Sequence, residues 1–442
     1  MHMTVRGIIF FALYLFLVTL PLDVALIVNA RTGTLANNIA AGAGFLGLTL
    51  MATEFLLISR IKAAAQPFGE DALQLFHNIM GVVALVFLLI HPIFMIITGY
   101  PANCWLNPFA GCANQLTVTA ALALYGLIFL IASSIFRKQL RLRYEVWQVL
   151  HGLLAIVILL GAMPHIFTLG RFSNTPLMKA MWTLYAVIVI WVIFWYKILR
   201  PLLHWNERWE VVENRVERGD ANTLVLKPIG HAGLSFEPGQ YAWIKHGKRP
   251  LGIGQHPISF SSDGDVGPGG TISFTVKQLG DWSGNVVPAI EPGETMWVDG
   301  PYGVLSADRE QGMGYVLIAG GIGITPLYSM CQTLAQRGDV RPVLLFYGGR
   351  DYESLTFREE LDALQGQMNL QVIYVLSDPA EDWQGERGFI NSDTLKKYLP
   401  QQYKRFVYFI CGPEPLMNAM EQALPELGIP REKVLSERFG MV

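Results

Sequence analysis

Four of the nine histidines in this 442-residue chain stand in apolar stretches, His77 and His91 in one, His151 and His165 in another. Both pairs are fourteen residues apart. In an α-helix fourteen residues rise about 21 Å and turn about 1400°, some 40° short of four turns. The two imidazoles of a pair therefore share one face, near opposite ends of a membrane-length helix. Neutral imidazole is an axial ligand for haem iron, and a haem fits between facing helices of a bundle. If the two helices run in the same direction, His77 is level with His151 and His91 with His165. The pattern then predicts two bis-histidine haem sites, one above the other, with His77, His91, His151 and His165 as metal ligands. A single such histidine is as readily a hydrogen-bonded packing residue. Packing does not require the same interval on two helices. Glu54 and Asp23 also fall in apolar stretches, unpaired by spacing, and read as helix-packing acids ahead of proton-handling groups.

The elements that must hold these histidines follow from composition. With 52% hydrophobic and 15% charged residues, the chain is too apolar for a soluble protein and too charged for one wholly in a membrane. Six stretches, at 7–29, 39–59, 75–98, 116–136, 146–169 and 178–199, reach the roughly 20 residues that cross a bilayer. The first exceeds a signal-peptide core and contains Pro21 and Asp23, so it reads as a span. Arg6, Arg60, Lys62, Arg137, Lys138, Arg141, Arg143, Lys197 and Arg200 fall on one side, and only Arg31, Arg171 and Lys179 on the other. The positive-inside rule then predicts an integral membrane protein with both termini and the second half cytoplasmic. His77 and His151 would be the inner pair. The loop "YPANCWLNPFAGCANQ" would lie outside without charge, where Cys104 and Cys112 could form a disulfide. Four cysteines without a CxxC pair argue against iron–sulfur and zinc sites, and a net charge of -2 argues against nucleic acid.

Beyond Arg200 the pattern changes. Short alternating segments such as "TLVLKPI" and "TISFTVKQL" between Gly, Pro and Asp turns predict an antiparallel β-barrel. From about residue 312, strands alternate with helical patterns, which predicts a parallel sheet covered on both faces. The expected domains are 1–204, 205–308 and 309–442. In the barrel, "HPIS" offers His256, Pro257, Ile258 and Ser259 at a strand end. "KQLGDWS" offers Lys277, Gly280, Trp282 and Ser283 where a helix should open, a suitable place for a pyrophosphate. "GGIGITP" places Gly320, Gly321 and Gly323 between strand and helix, with Thr325 and Pro326 at the helix entrance, as a dinucleotide requires. Arg350 ends the next strand, where a basic group can meet a 2′-phosphate, though a solvated loop arginine fits equally. Cys411, Gly412 and Pro413 end another strand at the sheet's carboxyl edge, and Phe439 lies near the C-terminus.

In this order the paired histidines, "HPIS", "GDWS", "DGPYG", "GGIGITP" and "CGP" resemble the ferric reductase and NADPH oxidase superfamily, most closely its compact prokaryotic members. The resemblance covers nearly the whole chain. It implies a six-helix transmembrane bundle in a bacterial inner or plasma membrane, holding two b-type haems and followed by a barrel for FAD and an α/β domain for NADPH or NADH. His256, Pro257, Ile258, Ser259, Lys277, Gly280, Trp282 and Ser283 would hold FAD. Gly320, Gly321, Gly323, Thr325 and Pro326 would hold the nucleotide phosphates, with Arg350 favouring NADPH. Cys411, Gly412 and Pro413 would border the nicotinamide. Phe439 would stack on the flavin, although in some relatives that aromatic is the last residue and here three follow. The implied activity is electron transfer from cytoplasmic NAD(P)H to an external acceptor, either dioxygen giving superoxide or a ferric chelate. A role in feeding a periplasmic redox protein or quinone is the alternative.

Overall fold

The computed structural model describes residues 5–29, 33–62, 68–103, 107, 110, 115–169, 172–247, 250 and 254–438. The chain divides into two units, one ending at Leu202 and one beginning at Leu203.

In the first unit six helices are long and apolar enough to cross a membrane. They are α1 (Val5–Asn29), α2 (Leu35–Leu57), α3 (Glu70–Ile97), α4 (Gln115–Ile135), α5 (Tyr144–Leu169) and α6 (Pro176–Phe194). They begin one to five residues earlier than hydropathy predicts, because polar residues make their first turns. Thr34 and Thr175 accept the Asn37 and Met178 amides as N-caps, and Glu70 and Asp71 place carboxylates at the positive end of α3. Leu48, Met51 and Phe55 of α2 pack with Leu127 of α4, Leu159 of α5 and Trp182 of α6. Outward residues such as Leu75, Ile79, Val82 and Val86 of α3 are exposed, as lipid-facing positions must be. Small residues let α2 lie close on α3: a methyl placed on Gly47 would meet Leu88 Cγ at 2.6 Å.

In the second unit a curled antiparallel sheet comes first. Its strands are β1 (Arg208–Glu217), β2 (Ala221–Ile229), β3 (Tyr241–His246), β4 (His256–Ser259), β5 (Ile272–Lys277) and β6 (Thr295–Tyr302), in the order β4-β3-β6-β1-β2-β5. A bridge between Phe260 and Phe274 draws its two edges together around Trp209, Leu224, Phe236 and Met296. A parallel sheet follows, from β7 (Tyr315–Gly320), β8 (Val343–Gly349), β9 (Leu370–Leu376), β10 (Glu386–Arg387), β11 (Val407–Gly412) and β12 (Val434–Arg438). Its order is β10-β9-β8-β7-β11-β12. One face is covered by α7 (Ile324–Gln336) and α8 (Arg358–Leu364), the other by α9 (Ser392–Tyr398) and α10 (Glu414–Glu426). The expected architecture is thus present: a six-helix transmembrane bundle, a curled FAD-type sheet and an α/β nucleotide-binding domain. One local element differs. "WSGNV" forms a π turn (Trp282–Val286) running into a 3-10 turn (Val287–Ala289), because Pro288 lacks the amide needed to continue a helix.

Candidate functional site

The four intramembrane histidines meet as two facing pairs. His77 of α3 and His151 of α5 have ring centroids 6.2 Å apart, and His91 and His165 of the same helices 6.0 Å. Three of the rings are held by their Nδ1 atoms. His77 Nδ1 lies 2.5 Å from Glu54 Oε2 of α2, and His91 Nδ1 lies 2.8 Å from the Ala40 carbonyl oxygen, also on α2. His151 Nδ1 lies 3.2 Å from Ser134 Oγ of α4. Ser134 donates its own hydroxyl proton to the Leu130 carbonyl at 2.6 Å, so it accepts the Nδ1 proton of His151. Carbonyl, carboxylate and hydroxyl acceptors at Nδ1 put the proton there and leave Nε2 as a lone-pair donor.

Two imidazoles binding one metal through Nε2 at about 2.0–2.1 Å each place their ring centroids about 6.2–6.4 Å apart. The His77–His151 pair meets that separation, and the His91–His165 pair is 0.2 Å short of it. Among the described residues, no group of three or more His, Cys, Asp or Glu side chains could hold a metal. Two facing imidazoles therefore suit a metal that brings its remaining ligands with it, as the macrocycle of a haem does. Glu54, Ala40 and Ser134 carry no mark of this role in the sequence. The one available signal was that Ala40 and Glu54 are themselves fourteen apart.

The second unit brings the two barrel motifs together. The His256 ring stacks on Trp282 at 3.9 Å and 13°, joining the start of β4 to the π turn. Ser259, buried at the end of β4, has no hydrogen-bond partner for its hydroxyl among the described residues, which fits a ligand completing it. Pro257 and Ile258 pair with Trp243 and Ala242 of β3, and Lys277 ends β5. Ser283 Oγ accepts the amides of Leu279 and Gly280, both at 3.0 Å, so these amides close their own turn.

In the nucleotide domain the glycines divide by role. A methyl on Gly323 would lie 2.2 Å from the Cys411 carbonyl oxygen, so this glycine lets α7 start against β11. Gly321 has φ +53° and open space where a side chain would be, so it presents bare backbone to a ligand. Thr325 is buried and donates to the Ile322 carbonyl, and Pro326 is buried beside it in the first turn of α7. Gly320 approaches Pro413, and Gly412 approaches Gly320. The Cys411 thiol is fully buried. Burial first, and the neighbouring Glu437 carboxylate second, push its pKa well up, so it stays a thiol. Glu437 of β12, buried, also accepts the Val304 amide beside Gly303 and is a site residue not read from the sequence. Arg350, beyond β8, is exposed and its Nε lies 2.8 Å from Asp351 Oδ2. Asp351 and, more weakly, Asp378 and Asp220 hold the Arg350 pKa above its ordinary value. Phe439, Cys104, Cys112, Arg31 and Arg171 lie outside the described residues.

The chain thus joins a bundle of membrane-length helices to a module with the fold of an oxidoreductase nucleotide-binding domain. Residues 43–162 match the ferric reductase like transmembrane component family, and residues 317–422 match the oxidoreductase NAD-binding domain family. The chain is thus ferric reductase and NADPH oxidase-like in architecture. It is 32% identical over 212 residues to the xylene/toluene monooxygenase electron transfer component XylA of Pseudomonas putida, covering 47% of this chain and 58% of that protein. It is also 32% identical over 187 residues to NADH-cytochrome b5 reductase 2 of Scheffersomyces stipitis, covering 38% of this chain and 63% of the relative. The chain thus spans about three fifths of the length of these relatives. The flavohemoglobin of Malassezia yamatoensis, solved with FAD and haem, superposes with a TM-score of 0.51 over 92% of this chain and 99% of its own, at 17% identity. At that identity the likeness is one of fold.

Proposed function

We infer that the chain carries electrons from cytoplasmic NAD(P)H across the membrane to an external acceptor, with FAD and two bis-histidine haems as its carriers. The observation that carries this reading is the pair of facing imidazole sets at 6.2 and 6.0 Å, each within 0.2 Å of the separation for one shared metal atom. FAD, when bound, supplies the change from a two-electron hydride donor to the single electrons that haem accepts.

The residues have separate tasks. Gly321 and the start of α7 receive the nucleotide phosphates, and Cys411, kept as a neutral thiol, borders the nicotinamide with Gly412 and Pro413. His256, Ser259 and Trp282 hold the flavin, aided by Pro257, Ile258, Lys277, Gly280 and Ser283. Phe439 is assigned to cover it. Of the two histidine pairs, His77 and His151 face the cytoplasm and His91 and His165 the outside, since the cationic ends of the spans mark the inner side.

His77 with His151, and His91 with His165, would each hold a haem, which would pass single electrons to the acceptor at its edge with no acid or base needed from the chain. Dioxygen is favoured because the outer loop at residues 100–115 carries no charge. One NAD(P)H then gives two electrons and one proton, and two dioxygen molecules leave as superoxide. Ferric-chelate reduction is the second reading, supported by the ferric reductase like match over 43–162. The test is anaerobic stopped-flow. Protein reduced by NADH or NADPH is mixed with dioxygen or a ferric chelate, and the faster reoxidant is the acceptor. Haem bands that never appear on reduction would overturn the whole scheme.

A further inference from the structure

We propose that α2 sets the direction of electron flow by giving a carboxylate to the inner histidine of α3 and a neutral carbonyl to the outer one. The inference rests on the bis-histidine reading above and deepens it. α2 runs antiparallel to α3, with Glu54 beside His77 and Ala40 beside His91. The fourteen-residue interval of the ligands is thus repeated in their acceptors. One helix supplies both Nδ1 partners of its neighbour, and they differ in charge.

That difference acts on the iron through the ring. A ligating imidazole that donates Nδ1–H to a carboxylate gains electron density at Nε2 and becomes a stronger donor. A stronger donor favours the ferric state and lowers the reduction potential. A peptide carbonyl polarises the ring less. All four axial ligands are histidine, so ligand identity cannot separate the two sites, and hydrogen bonding around the ligands is the lever that differs. His151, facing His77, contributes only a neutral hydroxyl partner, Ser134. Glu54 is the one charged acceptor among the described Nδ1 contacts, so the site that holds it is the lower in potential. By the charge asymmetry of the spans it is the inner one, so electrons run downhill outward.

Glu54 is also placed for this role and little else. It is buried at 7% exposure, Oε2 meets His77 at 2.5 Å, and Oε1 has no hydrogen-bond partner among the described residues. A buried carboxylate is costly inside a membrane and persists where a partner answers it. Glu54 is a positioning residue: it touches the ligand, not the metal.

The test is spectroelectrochemical titration of the full chain in detergent. Wild type should show two one-electron steps. A His91→Ala chain keeps only the inner haem and identifies its step. Glu54→Gln keeps an acceptor at Nδ1 but removes the charge. It should raise the lower step alone, increasing the reduced-to-oxidised ratio at the original midpoint by up to about tenfold, or 59 mV for one electron. An unmoved lower step, or an equal rise in both, overturns the proposal, because a merely structural tie would leave the potentials alone. Should Glu54→Gln fail to accumulate, Glu54→Asp keeps the charge on a shorter arm and weakens the contact. A rise confined to the lower step then supports the proposal, and no shift overturns it. A wild-type chain with no haem fails the bis-histidine reading before any substitution is made.

Discussion

Gly44 of α2 offers a test of the outer pair that leaves every proposed ligand in place. A methyl at Gly44 would lie 3.0 Å from His91 Nδ1 and 3.4 Å from both Cε1 and Cγ. Ordinary contact needs about 3.5–4.0 Å, so Gly44→Ala makes the ring give by roughly half an ångström. The His91 Nδ1 contact to the Ala40 carbonyl is 2.8 Å. Such a shift carries it to about 3.2 Å or beyond, the outer edge of a hydrogen bond. A ligand set tolerates displacements of about 0.5 Å, so Gly44→Ala should loosen the outer haem and Gly44→Val, with two further methyls, should release it. Replacing a mid-helix glycine by alanine should itself favour the helix by about 0.5–1 kcal/mol, so poor helix formation cannot explain a loss in Gly44→Ala. Gly161→Ala in α5, where a methyl has nothing within 4 Å, is the matched control. Haem per chain by pyridine haemochrome should fall from two to one in Gly44→Val and stay at two in Gly161→Ala. Two haems with wild-type spectra in Gly44→Val would refute the reasoning.

Gly323→Ala forces a methyl against the Cys411 backbone and should cost about 1–3 kcal/mol, read as earlier thermal release of FAD fluorescence. Gly321→Ala, with open space but φ +53°, should cost only about 1–2 kcal/mol of backbone strain while weakening nucleotide affinity. Asp351→Asn frees Arg350 for a 2′-phosphate and should raise kcat/KM for NADPH relative to NADH several-fold in paired steady-state assays. Arg337 of the nucleotide domain bridges Asp265 and Asp308, at 2.7 and 2.5 Å. Hydrogen bonding to Arg337 lowers the Asp265 pKa and, in return, raises that of Arg337. A lowered carboxylate pKa contributes stability above the unfolded value, near 4, and loses it as pH falls through the folded value. Arg337→Ala should therefore cost about 0.5–1 kcal/mol at pH 7, the range for a half-exposed pair, with the deficit shrinking below about pH 4 in denaturant titrations.

The parts of the site that were legible are those governed by a fixed period. Fourteen residues of helix return a side chain to nearly the same face, so His77 and His91 could be matched to His151 and His165 before any contact was known. The glycine-rich turn was legible for the same kind of reason, since strand, turn and helix each have their own pattern. What escaped was chosen by tertiary contact. Ala40 acts through its carbonyl and has no side-chain signal at all. Ser134 and Glu54 sit on helices other than that of the histidine each contacts, at intervals set by packing. Ser283 reads as a phosphate-binding hydroxyl, yet a serine three or four residues from free amides closes its own turn. Arg350 reads as a free cation, and the next residue in the chain answers it.

The three Nδ1 acceptors share a feature that bears on how the bundle works. A bis-histidine site takes both its protein ligands from imidazole, so their identity is written in the sequence. The tuning of each ligand asks only for an acceptor at Nδ1, and a backbone oxygen, a hydroxyl and a carboxylate all qualify. The choice among them is free to vary while the fold stays constant, and in this chain it differs between the two ends of one helix. α2 can make that choice because it is the best buried of the six spans, two thirds of it inside the bundle, where an acceptor competes with neither water nor lipid headgroups. Its small residues at Ala40, Gly44 and Gly47 serve the same end, since only a helix lying this close brings a carbonyl within 2.8 Å of a neighbour's ring. Close packing and the proposed potential difference would therefore be one design constraint: widening the α2–α3 contact to relieve Gly47 against Leu88 would also withdraw both Nδ1 acceptors from α3.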